Sequence, residues 1–421
     1  MMIRLIVCSF TWLCVAPLHL FAALPIDHPV STSNPEAQRS FNTGLTYIFA
    51  FNHDLAFREF ENASRLDPNL AMAYWGMALA LGQNINTDVT PEREMRCYEY
   101  VQKALQISSP SEVERRYIAA LATRYTNNSQ ADLKALRIPY KEAMGNLVKD
   151  YPDDLDAATM YAESILDIHP WKWWDLDGKP VEGTMDAVGV LESVLERDPL
   201  HIGANHYYVH AYEESDQPQK ALLSADRLTF LLPESGHLLH MPCHIYLLTG
   251  NYDKAVQTNT KAIQADWKYI QQYGMGGEYP IHYLRHNMYV LARTYMLMGD
   301  YQKALQAANQ VNQFLKPYFA TNAEIGRYAY IPLEIMLYFN KWEEILNFQP
   351  LSQAPICQTY WHFSRGMALA AQGNVEGALK EKEWMASSKR KVPEKEEIAN
   401  NPAAKVFELA DVLLEGAIAK A

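Results

Sequence analysis

The chain has 421 residues, with 37 lysines and arginines against 49 acidic residues, a formal net charge of -12 and 5 cysteines. No basic stretch is dense enough to follow a phosphate backbone, so nucleic acid is not expected as a partner; a cationic ligand suits the charge better. Three cysteines (Cys97, Cys243 and Cys357) follow the first 23 residues, and that odd number excludes a disulfide scaffold, so packing must supply the stability.

Residues 1–23 read as a secretory signal. Arg4 gives a short basic start, Leu5 to Phe21 is apolar, and Ala22-Ala23 offers small residues for cleavage. This predicts a secreted or periplasmic protein. Pro17 and His19 interrupt the apolar run, which leaves an uncleaved anchor as the alternative, and no later run is long enough to span a bilayer. Residues 24–36, rich in Pro, Ser and Asn, form an extended lead-in. From 37 to 421 helical periodicity scarcely stops and no stretch alternates apolar with polar residues, so the chain is predicted all-α.

The first predicted helix pair carries Gly44, Tyr47, Ala56, Phe60, Ala63 and Pro68. Small Gly44 and Ala56 let two helices approach, Tyr47 and Phe60 fill the gap, and Pro68 stops the second helix. Met72, Trp75, Gly76 and Leu79 open a second pair, and 110–152 gives a third of poorer match. A fourth spans Leu155 to Pro199, with an insertion at 167–182. Three further units are marked by Ala221, Ala225 and Pro233, then by Gly250-Asn251-Tyr252 with Ala255, then by Gly299-Asp300-Tyr301 with Ala304. A second insertion falls at 267–281. Two weaker units use Asn340-Lys341-Trp342 and Gly373-Asn374, and a helix from Ala403 to Ala419 is expected to cap the stack.

The intervals Gly-x2-Tyr, Ala-x3-Phe and closing Pro resemble the tetratricopeptide repeat. That resemblance implies an all-α helix-turn-helix solenoid, a right-handed superhelix of about eight pairs, whose first helices line a concave groove for a protein or peptide. A narrower likeness is carried by Phe51-Asn52-His53, Asn84-Ile85-Asn86, His169-Pro170-Trp171, Gly203-Ala204-Asn205-His206, His240-Met241-Pro242 and His286-Asn287. These phrases resemble a group of bacterial exported repeat proteins with histidine-rich middle repeats, a group that implies little about activity.

Of 13 histidines, eight lie between His201 and His286. His206 and His210 are four apart, and His237, His240 and His244 step by three and four, so each set shares one helix face. Leu239, Cys243 and Tyr246 fall on the opposite side as a core stripe. Counting back from the Gly-Asn/Asp-Tyr turns places His237, His240 and His244 at the second, fifth and ninth positions of their repeat, His206 and His210 at the fifth and ninth, and His286 at the second. In the resembled family these positions face the groove. Counting from Pro199 instead would send His206 and His210 to packing positions; the backward count puts Tyr208 and Tyr212 in the core.

Neighbouring helices pack about 8 to 10 Å apart, so imidazoles from consecutive repeats can share an ion such as copper or zinc. The candidate ligands are His206, His210, His237, His240, His244, His282 and His286, with Glu213 as a carboxylate ligand or outer acceptor. Candidates for a groove or lid are Trp171, Trp173, Trp174, Tyr207, Asn205, Asn287 and Tyr289. The plain alternative for the tryptophans is that they cover a helix end; His53 and His362 are read as structural. No phosphate loop, His-Glu-x-x-His helix, nucleophile elbow or Cys-x-x-Cys pair is present, and no catalytic residue is assigned. Three functions stay open: a binding or scaffold protein with a transition metal, a copper- or zinc-dependent enzyme at the same site, and a metal-free peptide adaptor.

Overall fold

The computed structural model describes residues 26–275, 279–320, 322–398 and 401–421; the predicted signal lies outside them. Helices follow one another as pairs: α1 (Pro35–Phe49) and α2 (His53–Leu66), α3 (Ala71–Leu81) and α4 (Pro91–Gln106), α5 (Glu112–Ala122) and α6 (Arg137–Asp150), α7 (Leu155–Leu166) and α8 (Thr184–Arg197). Then come α9 (Ile202–Glu213) and α10 (Leu222–Leu231), α11 (Gly236–Leu248) and α12 (Tyr252–Tyr273), α13 (Arg285–Leu297) and α14 (Tyr301–Leu315). A one-turn helix α15 (Ala323–Gly326) precedes α16 (Ile331–Tyr338) and α17 (Trp342–Asn347), α18 (Pro355–Ala371) and α19 (Val375–Lys389), and the closing α20 (Ala403–Lys420). Nine pairs are thus traced among the described residues. Strands there are confined to the two-residue pair Glu397–Ile398 and Asn401–Pro402.

Local chemistry fixes the helix starts. Asn34, Thr90, Ser111, Asp154, Ser235 and Asp300 each accept a hydrogen bond from an amide of the first turn that would otherwise lack a partner. Pro35 and Pro91 follow their caps, and Ser111 with Glu114 completes a reciprocal box.

Five first helices of pairs end in one way. Phe51, Gly250, Gly299, Asn340 and Gly373 all take positive φ, between 53° and 79°. The next amide then bonds back to a carbonyl five residues earlier: Asn52 to Tyr47, Asn251 to Tyr246, Asp300 to Tyr295, Lys341 to Met336 and Asn374 to Leu369, at 2.8–3.0 Å. Glycine adopts this conformation freely, whereas a residue with a Cβ is strained there by about 1–2 kcal/mol. Phe51 is therefore out of keeping with its turn.

The helices do more than stack in series. Helix α1 also packs on α9, four hairpins later. Gly203 permits this approach, because a Cβ there would lie 2.4 Å from the Phe49 ring. The interior between the first and fifth hairpins is consequently filled. The lead-in fills more of it, with Ile26 N donating to Thr46 Oγ1 (3.0 Å), Val30 N to Gln38 Oε1 (2.9 Å) and Ser31 N to Glu114 Oε1 (2.6 Å). The open groove expected for a peptide is thus occupied there by the chain itself.

The two insertions differ. Residues 167–182 are irregular, but the stretch expected as a connector from 267 is helix up to Tyr273, and α12 ends with Gly274 at φ 85°. Cys97, Cys243 and Cys357 are buried, unbridged thiols. Among the described residues no helix is long and apolar enough to cross a membrane.

Candidate metal centre

Six of the seven candidate histidines meet in two groups of three. His206, His210 and His237 form one and His240, His244 and His286 the other; within each, one ring nitrogen per residue lies within 4.8 Å of the others. The groups share a construction. Two histidines four apart on one helix meet a third from the first helix of the next pair, so α9 and α11 build the first centre and α11 and α13 the second. His206 Nε2 lies 3.0 Å from His237 Nε2, and His240 Nε2 lies 2.8 Å from His244 Nε2. The His286 ring centroid is 4.7 Å from that of His240 and 5.6 Å from that of His244. A metal about 2.0 Å from each nitrogen would hold neighbouring nitrogens roughly 3.3 to 3.5 Å apart, which these groups reach by a small opening.

The outer partners decide which nitrogens face inward. The Phe49 carbonyl can only accept, so His206 Nδ1 carries the proton in their 2.7 Å bond and His206 Nε2 presents a lone pair. Asn259 Nδ2 donates to the Asn287 carbonyl at 2.7 Å, which fixes its amide so that Oδ1 accepts from His240 Nδ1, also at 2.7 Å. His240 Nε2 is therefore bare as well. Glu213 contacts both groups, through Oε1 to His210 Nδ1 and through Oε2 to His244 Nδ1 at 3.4 Å. It takes the outer-acceptor role and ties the centres together.

Proton bookkeeping exposes a conflict. His240 and His244 face one another through Nε2, and since His240 Nε2 is bare, a neutral His244 must place its proton there. Its Nδ1 then turns a lone pair toward Glu213, a contact that is unfavourable whenever that carboxyl is ionised. A cation between the two Nε2 atoms removes the conflict, letting His244 Nδ1 carry the proton toward the carboxyl. The first centre has its own deficit: His210 Nε2 and His237 Nδ1 are buried without a hydrogen-bond partner. These donor sets fit a metal ion.

Burial reinforces the lone-pair character of the rings. Desolvation holds His210 down to about 3 and His240 and His244 to about 4, and it also lowers His206, His237 and His286 well below the usual histidine range, helped by neighbouring imidazoles. The same burial raises Glu213 to about 7, against the pull of His244.

The remaining predicted residues fall elsewhere. His282 is exposed in the π-helical turn Pro280–Leu284 and belongs to neither group, although it lies near enough to His286 to depress that ring further. Asn205 spans the start of α9, with Nδ2 bonded to the Pro199 and His201 carbonyls, rather than facing a groove. Asn287 anchors to Asp266 at 2.7 Å and Tyr289 donates to Glu334 at 2.8 Å, while Tyr207 is buried against Phe49 and Phe51. The tryptophans divide. Trp173 and Trp174 donate to the Leu166 and Ala211 carbonyls, covering helix ends, whereas Trp171 meets the His210 ring edge-on at 5.7 Å.

A third cluster, His28 with Asp154 and Asp156, has its oxygens committed. Asp156 accepts from His28 at 2.7 Å and His201 at 3.1 Å, and Asp154 caps α7 and accepts from Tyr117. His53 donates from Nδ1 to the Ala80 carbonyl and accepts at Nε2 from Asn84 Nδ2, and His362 pairs with Glu381, both as structural side chains.

Sequence reasoning missed Phe49, Phe51, Asn259 and Asp266. Asn259 and Asp266 were readable, because with Ala255 and Ala262 they form one inward stripe of α12, where two polar residues need a buried partner. No family model matches the chain, and no curated protein matches it. Among solved structures, the crystal structure of a tetratricopeptide repeat protein from Parabacteroides merdae is similar over 67% of this chain and 93% of its own, with 14% identity and a TM-score of 0.38. Helix pairs closed by a recurring left-handed turn make the described residues an all-α array of helical hairpins, the architecture that the repeat pattern of the sequence predicts.

Proposed function

We propose that this is an exported metal-binding scaffold that holds two transition-metal ions, copper or zinc, in tri-histidine centres at the junctions of its fifth, sixth and seventh hairpins. The observation that carries this reading is the set of inward lone pairs imposed from outside: Phe49 on His206, Asn259 on His240 and Glu213 on His210 each engage one ring nitrogen and direct the other at its neighbours. Hydrogen bonding alone would leave His210 Nε2 buried and unused. Elemental analysis of protein purified without an affinity tag tests it. About two equivalents of one transition metal per chain are expected, and one fewer for each centre disabled; protein that holds none and takes up none on dialysis would sink the reading.

A catalytic variant of the same proposal is favoured by one feature of the second centre. The His244 side chain is 24% exposed and His286 is half-buried, which leaves room for a water or substrate on the bound ion. Export rests on residues 1–23, and appearance of the full-length precursor and a shortened mature chain in cell fractions checks it.

A further inference from the structure

The first centre is sealed by two side chains in a conformation their residue types avoid. Only three residues other than glycine have positive φ among the described residues: Phe51 (53°), Trp171 (59°) and Asn340 (54°). Asparagine tolerates that region, but for a bulky aromatic residue it is a strained outlier. Both aromatic outliers lie on the first centre. Phe51 reaches the rings of His206, His210 and His237 at 4.6, 5.8 and 5.5 Å, and Trp171 meets His210 at 5.7 Å. Phe51 does so from the turn position that three equivalent hairpins give to glycine, so its ring is there for what it covers. Tyr283 closes a further side, 4.7 Å from His237.

The result is a dry site. His206, His210 and His237 expose 0%, 1% and 3% of their surface. Beyond Trp171 lies a surface pocket of about 370 Å³ that also touches His169, Lys172 and Arg137, so this indole is the partition between His210 and solvent.

Resting on the proposed function, we infer that the first centre is selective for a monovalent, three-coordinate cuprous ion, with Phe51 and Trp171 as positioning residues that exclude a fourth ligand. Three considerations carry this. The donors are three neutral imidazoles, with no carboxylate among them. The desolvation cost of an ion grows with the square of its charge, so a divalent ion is penalised about fourfold more than a monovalent one in such surroundings. Zinc with three protein ligands completes its shell with water or substrate, which the aromatic walls refuse. A cuprous ion, with its filled d shell, accepts three nitrogen donors and needs nothing more.

The test uses the full mature chain, untagged, with His244→Ala and His286→Ala to disable the second centre. It is loaded without oxygen with Cu(I) against a competing chelator, or with Zn(II), then desalted. The expected result is about one copper per chain, lost in a further His210→Ala variant, zinc retention lower by at least about tenfold, and a copper K-edge spectrum with three nitrogen neighbours and no oxygen. Phe51→Gly keeps a residue suited to the turn while removing the ring, and is expected to raise zinc retention about tenfold by admitting water. A thermal melt confirms that it folds. Zinc held as firmly as Cu(I), or an oxygen neighbour on copper in the protein with Phe51 intact, overturns the inference but leaves the metal-binding reading standing. Retention of neither metal at either centre in the otherwise unaltered chain overturns both.

Discussion

The two tri-histidine centres are one arrangement displaced by a single hairpin. Each joins an i, i+4 pair to a histidine from the following first helix, and α11 serves both, with His237 facing back and His240 and His244 facing forward. They differ in what lies above them. The turn after α1 arrives at the first centre, with Phe49 O on His206 and the Phe51 ring over all three histidines, and leaves the second uncovered on the side of His244 and His286. Stacking repeats thus multiplies a donor set, while a contact between remote hairpins makes one copy closed and the other accessible.

The largest effects come from the ligands themselves. His210→Ala is expected to abolish binding at the first centre and leave the second intact, and His244→Ala to do the reverse, each read as the loss of one metal equivalent by elemental analysis. If either change empties both centres in a chain that still melts cooperatively, the centres are one coupled unit and the comparison fails. Next is Glu213, which belongs to both. Glu213→Ala should weaken each centre by about 10- to 100-fold, as removal of an outer carboxylate does; a metal titration showing an effect confined to one centre would show that its second contact is incidental. Asn259→Ala sharpens the contrast further. It leaves the buried His240 Nδ1–H without its acceptor and should weaken only the second centre, by at most about tenfold, with roughly 1–3 kcal/mol of stability lost through that unpaired donor.

Repeats and ligands were legible for different reasons. The Gly-Asn/Asp-Tyr turns announce their hairpins because only a few residue types tolerate left-handed φ, and counting from them sets His237, His240 and His244 in register. The i, i+4 spacing then follows from helix geometry. What the sequence could not show is the meeting of α1 with α9, a contact between residues more than 150 positions apart that turns an expected open groove into a closed interior. Phe51-Asn52-His53 stood out as a phrase, yet nothing local reveals where the Phe51 ring goes. His282 shows the limit of spacing: four residues before His286 puts it near that ring, yet its side chain stays exposed and joins neither group.

Acidification gives the smallest and most discriminating difference. Burial lowers His240 and His244 to about 4 and His210 to about 3, from an unfolded value near 6.5. Above pH 6.5 these rings are neutral in both states and impose nothing. As pH falls from 6.5 toward 4 the unfolded chain takes up protons that the folded one refuses, so the metal-free protein loses stability through that window. Glu213, raised to about 7, acts with the opposite sign, its contribution present below about 4.5 and lost as pH rises through 7. Because neutral imidazole is the form that binds metal, affinity at the second centre should stay flat from pH 6.5 to about 5 instead of falling through the usual histidine range. At the first centre, held lower still by His210, it should stay flat about a unit further. Titrations on the two single-centre variants separate these curves. A tenfold fall per unit beginning near pH 6.5 at both would mean that neither ring set is shielded from water, and the distinction between closed and accessible centres would go with it.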